Sequence, residues 1–353
     1  MALTQQKALL IPEKSAPFVV GLRAIPSPGP GFVLVKILAT GLNPVDSAIQ
    51  KFGIFAPEYP AVVGNDAAGV VEAIGSGVTN IQVGDKVFYQ GHWASDRSTF
   101  QQYGLADAAR IAKIPDNLSF DEVATIPLGL GTAALGMYGK KGDRGGADLY
   151  PPWEEGGIAK YNGQAILVSG GASSVGQFAI QLAKLSGFNP IITTASARNE
   201  SYCKAAGATH VIDYRSVPYS DLPAAVAKIT GGPIPFVYDA ISVPESQKAG
   251  WEILAPKGSI VFTKQPVVGK PGAEAEDGKY TAWVFGLVHT EENQEVGKSM
   301  YDKLTDLLAE GALKPNRIEV VPDGLSGIPA ALERFFAGKV SGVKLIAHPQ
   351  DAP

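Results

Sequence analysis

The sequence predicts an α/β protein of two parts: a doubly wound, Rossmann-type parallel sheet of six strands, and a β-rich domain of short strands. Three observations predict it. Residues 164–214 read as strand, tight turn, helix and strand; apolar runs and helical periodicity then alternate as far as residue 288; and residues 1–120 hold short β-branched runs between Gly/Pro clusters.

Taken in order, runs at 32–38, 69–74 and 86–89 alternate with turn clusters such as Pro28-Gly29-Pro30-Gly31 and Gly75-Ser76-Gly77. That is the pattern of an irregular barrel or folded sheet. Ser119 is expected to cap a helix with Glu122 as its capping-box partner, and the helical spacing that follows, interrupted by Pro127 and glycines, connects the domains. Residues 139–163, rich in Gly and charge with Pro151-Pro152, read as a loop insertion, either a mobile flap or a partner surface. Its Trp153 either marks a contact or packs back on its own domain.

The first nucleotide-domain strand is 165–168. Ser169, Gly170 and Gly171 break it, and Phe178, Ile180, Leu182 and Leu185 carry the helix from Gln177 onward. A second strand, 190–194, follows through a crossover expected to be right-handed. Strands at 209–214, 236–241, 258–263 and 280–288 and helices at 221–229 and 243–254 complete six strands. Helix 292–309 ends at Gly311, and the tail (strand 317–321, helix 328–336, strand 343–347) returns to the first domain. The expected division is 1–125 plus 310–353 for the β-rich domain and 126–309 for the nucleotide-binding domain.

The turn carries the chemistry. A G-x-G-x-x-G turn lets the backbone approach a pyrophosphate, which rests on N–H groups at the helix start. Here the frame is Gly171, Ala172, Ser173, Ser174, Val175, Gly176, with serine in place of the middle glycine. The second strand ends Thr193-Thr194-Ala195-Ser196-Ala197-Arg198, with no acid before Glu200. A carboxylate there would favour NAD; its absence beside a cation favours NADPH. Arg198 is the natural 2′-phosphate clamp, Ser196 a hydroxyl donor, Asn199 a neighbouring candidate, and Tyr214 a candidate beside the adenine ribose. Alternatively, Arg198 starts a solvated helix and Tyr214 packs at an edge.

Composition bounds the rest. With 30 basic and 34 acidic residues the net charge is −4, without a basic stripe, so nucleic acid is not an expected partner. The lone Cys203 excludes an intrachain disulfide and a Cys-rich zinc site. No signal pattern and no apolar run of spanning length occur, so a cytoplasmic protein is expected. His92, His210, His289 and His348 lack ligand spacing and read as structural or solvated.

Several motifs stand in one order: GLNPVDSAI at 41–49, GNDAAGVVEAIGSGV at 64–78, VGDKVF at 83–88, the turn at 169–176 and GKVSGVKLI at 338–346. Together they resemble the medium-chain dehydrogenase/reductase superfamily over nearly the whole chain, and within it the zinc-independent quinone oxidoreductase and fungal trans-acting enoyl reductase branch. The resemblance implies a GroES-like N-terminal domain. Zinc-dependent members place Cys, His and Glu at the positions of Asn43, Asn65 and Asp66, and a Cys-rich lobe around 93–103; this chain lacks the thiolates and the imidazole, a poor set for Zn²⁺.

Without a metal, the expected chemistry is hydride addition to an already polarised acceptor, an activated C=C or a quinone, with the protein orienting the reactants and stabilising the enolate. By resemblance, Asn43 and Thr132 lie at the nicotinamide; otherwise they are an Asn-Pro turn and a helix-interior threonine. Asp46 orients the Asn43 loop or caps the helix there. The backbone at Val261 and Phe262, and Ser341, are further cofactor contacts implied by resemblance. Phe52, Phe55, Leu128, Trp283 and Phe285 are candidates for the substrate wall or ordinary core. No proton donor declares itself among Tyr59, Tyr89, Tyr138 and water. Three functions stay open: an NADPH-dependent reductase of enones or enoyl substrates, beside a polyketide synthase or other biosynthetic partner; an NADPH:quinone oxidoreductase; and an NADPH-binding partner protein without turnover.

Overall fold

Alternating burial organises the first part of the chain. The structure, a computed structural model, describes residues 4–351. In chain order, β1 (Gln5–Ile11), β2 (Val19–Ala24), β3 (Phe32–Gly41), α1 (Pro44–Phe52), β4 (Ala61–Val62), β5 (Asp66–Ile74), β6 (Lys86–Gln90), β7 (Tyr103–Asp107) and β8 (Ile111–Lys113) lead to two helices, α2 (Phe120–Val123) and α3 (Pro127–Tyr138). Ser119 caps α2 by accepting the Glu122 N–H while Glu122 accepts that of Ser119, the expected box. The connecting helix is nonetheless two helices, because Pro127 carries no N–H and opens a new one at its first position.

The second part continues with β9 (Ile166–Ser169), α4 (Ser174–Leu185), β10 (Ile191–Ala195), α5 (Glu200–Ala206), β11 (His210–Asp213), α6 (Leu222–Thr230), β12 (Ile234–Asp239), α7 (Pro244–Ile253), β13 (Leu254–Phe262) and β14 (Tyr280–Trp283). These six strands form one sheet in the order β11-β10-β9-β12-β13-β14, every neighbouring pair parallel. Strand order therefore reverses beside β9, the switch point at which such sheets bind nucleotides. The sixth run is shorter than its apolar length suggested, ending at Trp283. Its outer edge is met by the chain's own residues 271–275, with Gly272 N–H donating to Thr281 O at 2.9 Å.

The tail adds α8 (Gln294–Ala309), β15 (Ile318–Val320), α9 (Gly324–Phe336) and β16 (Lys344–Ala347). β15 and β16 join β3, β5, β6 and β8 in a seven-stranded sheet that β7 completes by pairing with β3, while β2-β1-β4 form a small second sheet. Two compact units result. Among the described residues, the first takes the chain through Leu128, Tyr301–Ala309 and the chain from Pro315; the second takes Gly129–Met300 and Glu310–Lys314. The chain thus changes unit within α8, between Met300 and Tyr301, and not at its end. Ile11, Leu42, Ile49, Leu325 and Leu345 centre one core of the first unit; Leu167, Val237, Ile260 and Phe262 centre that of the second.

Residues 139–163 contain no helix or strand. Trp153 is 9% exposed, donates from Nε1 to Ser299 Oγ at 2.8 Å and meets the Tyr138 ring edge-on at 5.1 Å, so it packs back on its own unit.

Candidate active site

In the second unit the turn after β9 is built for close approach. Gly170 has φ +78°, where a side chain is strained. A Cβ on Gly171 would lie 2.1 Å from Thr193 Oγ1, and one on Gly176 2.2 Å from Gly170 O. Strand, turn and helix therefore meet more tightly than any residue with a side chain permits. Ser173 is not a damaged glycine but the N-cap of α4: its Oγ accepts the Gly176 N–H at 3.0 Å. The helix accordingly starts at Ser174, three residues before the apolar periodicity of Gln177. The remaining N–H groups of the first turn have no carbonyl in their own helix, the arrangement that receives a phosphate. These residues fit a dinucleotide.

At the end of β10, Ser196 is buried, Asn199 is buried with its amide donating to Ser196 Oγ at 3.2 Å, and Arg198 is exposed without an ion pair to any described carboxylate. Glu200, the first acid after the strand, is taken by Lys204 at 2.7 Å. Tyr214 is 44% exposed beyond β11, with the Arg215 guanidinium 6.0 Å from its ring. Val261 and Phe262 lie buried in β13. Sequence reading missed Asp239, at the end of β12: its carboxylate accepts from Ser242 N–H at 2.9 Å, Ile241 N–H at 3.1 Å and Ser246 Oγ at 2.7 Å, and burial raises its pKa. An acid ending an apolar strand was the available signal.

Thr132 lies on α3. Its carbonyl accepts the Tyr238 hydroxyl at 2.8 Å, and a Cβ on Gly286 would fall 2.2 Å from its Oγ1. Trp283 and Phe285 are brought together under one cation, the Arg144 guanidinium, 3.8 Å and 4.6 Å from their ring centroids. Arg144 belongs to the 139–163 insertion, which therefore lies against this pair of aromatics in the same unit.

The first unit holds a buried polar cluster. Strand register assembles it: Gly41 at the end of β3 faces Asp66 on β5 and Ile346 on β16. Asn43 sits just before α1, and its N–H is accepted by Asp46 Oδ2 at 2.8 Å, so Asp46 both caps the helix and holds the Asn43 loop. The other Asp46 oxygen accepts from Asn65 Nδ2 at 3.0 Å. The Asn43 amide makes its close bonds away from the helix: Nδ2 donates to Asp66 Oδ2 at 2.7 Å and to Gly41 O at 3.4 Å, and Oδ1 accepts from Lys344 Nζ at 2.5 Å. Lys344 also pairs with Asp66 at 2.7 Å, and Leu128 N–H donates to Asp66 Oδ1 at 2.5 Å. Burial pushes the Asp46 carboxyl up to about 7, helped by the nearby Asp66 charge and opposed by its hydrogen bonds and Lys344. Lys344 lies inside the motif at 338–346, but no spacing in the sequence ties it to Asn43, 301 residues away.

Other candidates lie elsewhere. Phe52 and Phe55 are 63% and 40% exposed near the end of α1, Phe55 stacked on Trp93 at 4.2 Å. Leu128 joins the cluster through its backbone, and Ser341 is exposed. Tyr89 and Tyr138 are buried, the latter's hydroxyl 2.7 Å from Ser186 Oγ, and burial raises both pKa values. Among the described residues no group of three His, Cys, Asp or Glu could hold a metal, and no helix is long and apolar enough to cross a membrane.

The chain matches the alcohol dehydrogenase GroES-like domain over residues 29–116 and the family described as zinc-binding dehydrogenase over 174–275. It is 30% identical to a trans-enoyl reductase of Fusarium mangiferae, over 91% of this chain and 93% of that protein. It is 40% identical to a trans-enoyl reductase of Aspergillus terreus, over 60% of this chain and 69% of that one. A solved quinone oxidoreductase of Pseudomonas syringae pv. Tomato DC3000 superposes with a TM-score of 0.76 at 27% identity, covering 97% of this chain and 99% of the other. Fold and sequence thus define a nicotinamide-dependent oxidoreductase. The chain belongs to the medium-chain dehydrogenase/reductase superfamily, in its enoyl reductase and quinone oxidoreductase branch.

The zinc in the second family's description does not fit the residues of the first unit. Two amides, one carboxylate and a buried ammonium stand where thiolate, imidazole and carboxylate would be needed, and the ammonium would repel a metal.

Proposed function

We propose that this protein is a zinc-independent, NADPH-dependent reductase of an activated C=C, an enone or enoyl substrate. Its similarity to named trans-enoyl reductases, reaching across nine-tenths of the chain, carries the reading. The strand-end Ser196 and Arg198, without a carboxylate, support NADPH over NADH. When bound, the nicotinamide supplies the hydride.

Gly171, Ser173, Ser174, Val175 and Gly176 hold the pyrophosphate; Ser196, Arg198, Asn199 and Tyr214 hold the adenosine end. Val261, Phe262 and Ser341 are further contacts. Asn43 and Thr132 orient the nicotinamide and substrate, Asp46 fixes the Asn43 loop, and the aromatic pair Trp283 and Phe285, with Arg144 stacked over it, is the proposed aromatic part of the substrate wall. Phe52, Phe55 and Leu128 complete the proposed wall. No side-chain acid in the cluster is free to protonate the enolate, so water is the proton source in this reading. The protein acts in the cytoplasm on a small conjugated carbonyl, with a polyketide synthase or another biosynthetic enzyme as the source of substrate.

The quinone reading is the second, favoured by the solved relative of that name. Product analysis separates the two. Enones and enoyl thioesters incubated with NADPH should give the saturated carbonyl compound, whereas turnover of quinones alone would transfer the reading to quinone reduction. Tight NADPH binding without turnover of either would instead mark a binding protein.

A further inference from the structure

Lys344 is 3% exposed, yet its ammonium has two close partners and no access to bulk water. A buried charge of this kind costs several kcal/mol unless it is paired and hydrogen-bonded. Here the fold makes deliberate room for it. A Cβ on Gly41 would lie 2.5 Å from Ala124 O, 2.9 Å from Lys344 Cε and 3.0 Å from Asp66 Cβ, so the lysine stem packs where only glycine fits between it and the neighbouring backbone.

Two carboxylates stand around it. Asp66 touches Nζ directly, and Asp46 stands one amide away through Asn65 and the Asn43 backbone. Asn43 lies between an ammonium and a carboxylate. Its carbonyl oxygen must face the first and its NH₂ the second, because the reverse would set donor against donor and acceptor against acceptor. The second Nδ2 hydrogen reaches Gly41 O at 3.4 Å, so the amide is held in a single orientation with one lone pair of Oδ1 to spare.

We propose that Lys344 is the resident cation of this cluster and a positioning residue which locks the Asn43 amide for the reaction. The inference rests on the reductase reading above and extends it to a residue outside the nucleotide machinery.

The test uses the purified full chain. Lys344→Met is paired with Lys344→Met/Asp66→Asn, which removes both charges and so avoids stranding a buried carboxylate. The double variant should fold, with kcat for an enone or enoyl thioester down by at least about tenfold and KM for NADPH changed by less than about threefold. Because the lysine acts through Asn43, Asn43→Ala should slow wild type but add little in the double variant's background. Lys344→Ala should regain rate and thermal stability with n-propylammonium, and not with the bulkier tert-butylammonium. Metal analysis of wild type should find no stoichiometric zinc. A folded double variant with wild-type kcat, additive effects of Asn43→Ala and the lysine change, or one zinc per chain would each overturn the proposal. If wild type reduces no acceptor, the reductase reading fails instead, and the amine-dependent thermal shift and metal analysis still decide the role of Lys344.

Discussion

Arg198 decides cofactor choice in this account. It is exposed just after β10 with no carboxylate partner among the described residues, while the first acid after the strand, Glu200, is engaged by Lys204. Deleting it removes a charge-assisted phosphate contact of about 1.5–3 kcal/mol. Arg198→Ala should therefore raise KM for NADPH by roughly ten- to a hundredfold and leave KM for NADH nearly unchanged; equal effects would remove it from the clamp. A second residue speaks through pH. Burial first, and the charge of Asp66 next, lift the Asp46 carboxyl to about 7 in the folded protein, above about 3.9 for an unfolded chain. The folded state then holds the proton more tightly, so this contribution to stability is complete below about pH 4 and is lost as pH rises through about 7. Urea melts of Asp46→Asn across that window should show a flatter pH dependence than wild type, since the amide cannot ionise. An unchanged slope would show that some other group titrates there.

At the scale of elements, the start of α4 shows how one residue carries two signals. As a fingerprint position Ser173 looked like a substitution for glycine; as a helix start it is an N-cap whose hydroxyl takes the Gly176 N–H. Ser173→Ala should cost about 1 kcal/mol in a denaturant melt and Ser173→Gly only a few tenths. If both are equally costly, the cap is not what the serine contributes. The insertion makes a parallel case. Trp153 is anchored by Ser299 and Tyr138, so Trp153→Phe, which keeps the ring and loses the N–H donor, should destabilise the second unit by about 1 kcal/mol. Local features of this kind were readable in sequence. The Ser119 box, the alternating strands and helices, and the carboxylate-free end of β10 all depend on neighbours in the chain. The Asn43, Asp66 and Lys344 cluster does not: it is assembled by the register of β16, β3 and β5, and no periodicity encodes which strand lies beside which. The length of β14 was likewise overread, since an apolar run continues past the last paired residue, Trp283, as buried coil.

For the whole molecule, the order β11-β10-β9-β12-β13-β14 explains why one unit handles the nucleotide, and the seven-stranded sheet of the other explains how residues from both ends of the chain meet at Asn43. Neither unit supplies the donors a zinc ion needs among the described residues. In the function proposed above, the reaction is reduction of an acceptor already polarised by its own carbonyl, with the protein contributing orientation and fixed charge. Anaerobic incubation of the metal-free enzyme with NADPH and an α,β-unsaturated thioester, followed by mass analysis of the product, tests this most directly. The account predicts one NADPH consumed per molecule of substrate gaining two hydrogens across the C=C, with the thioester intact. Consumption only in the presence of added zinc, or reduction of the carbonyl in place of the double bond, would contradict it.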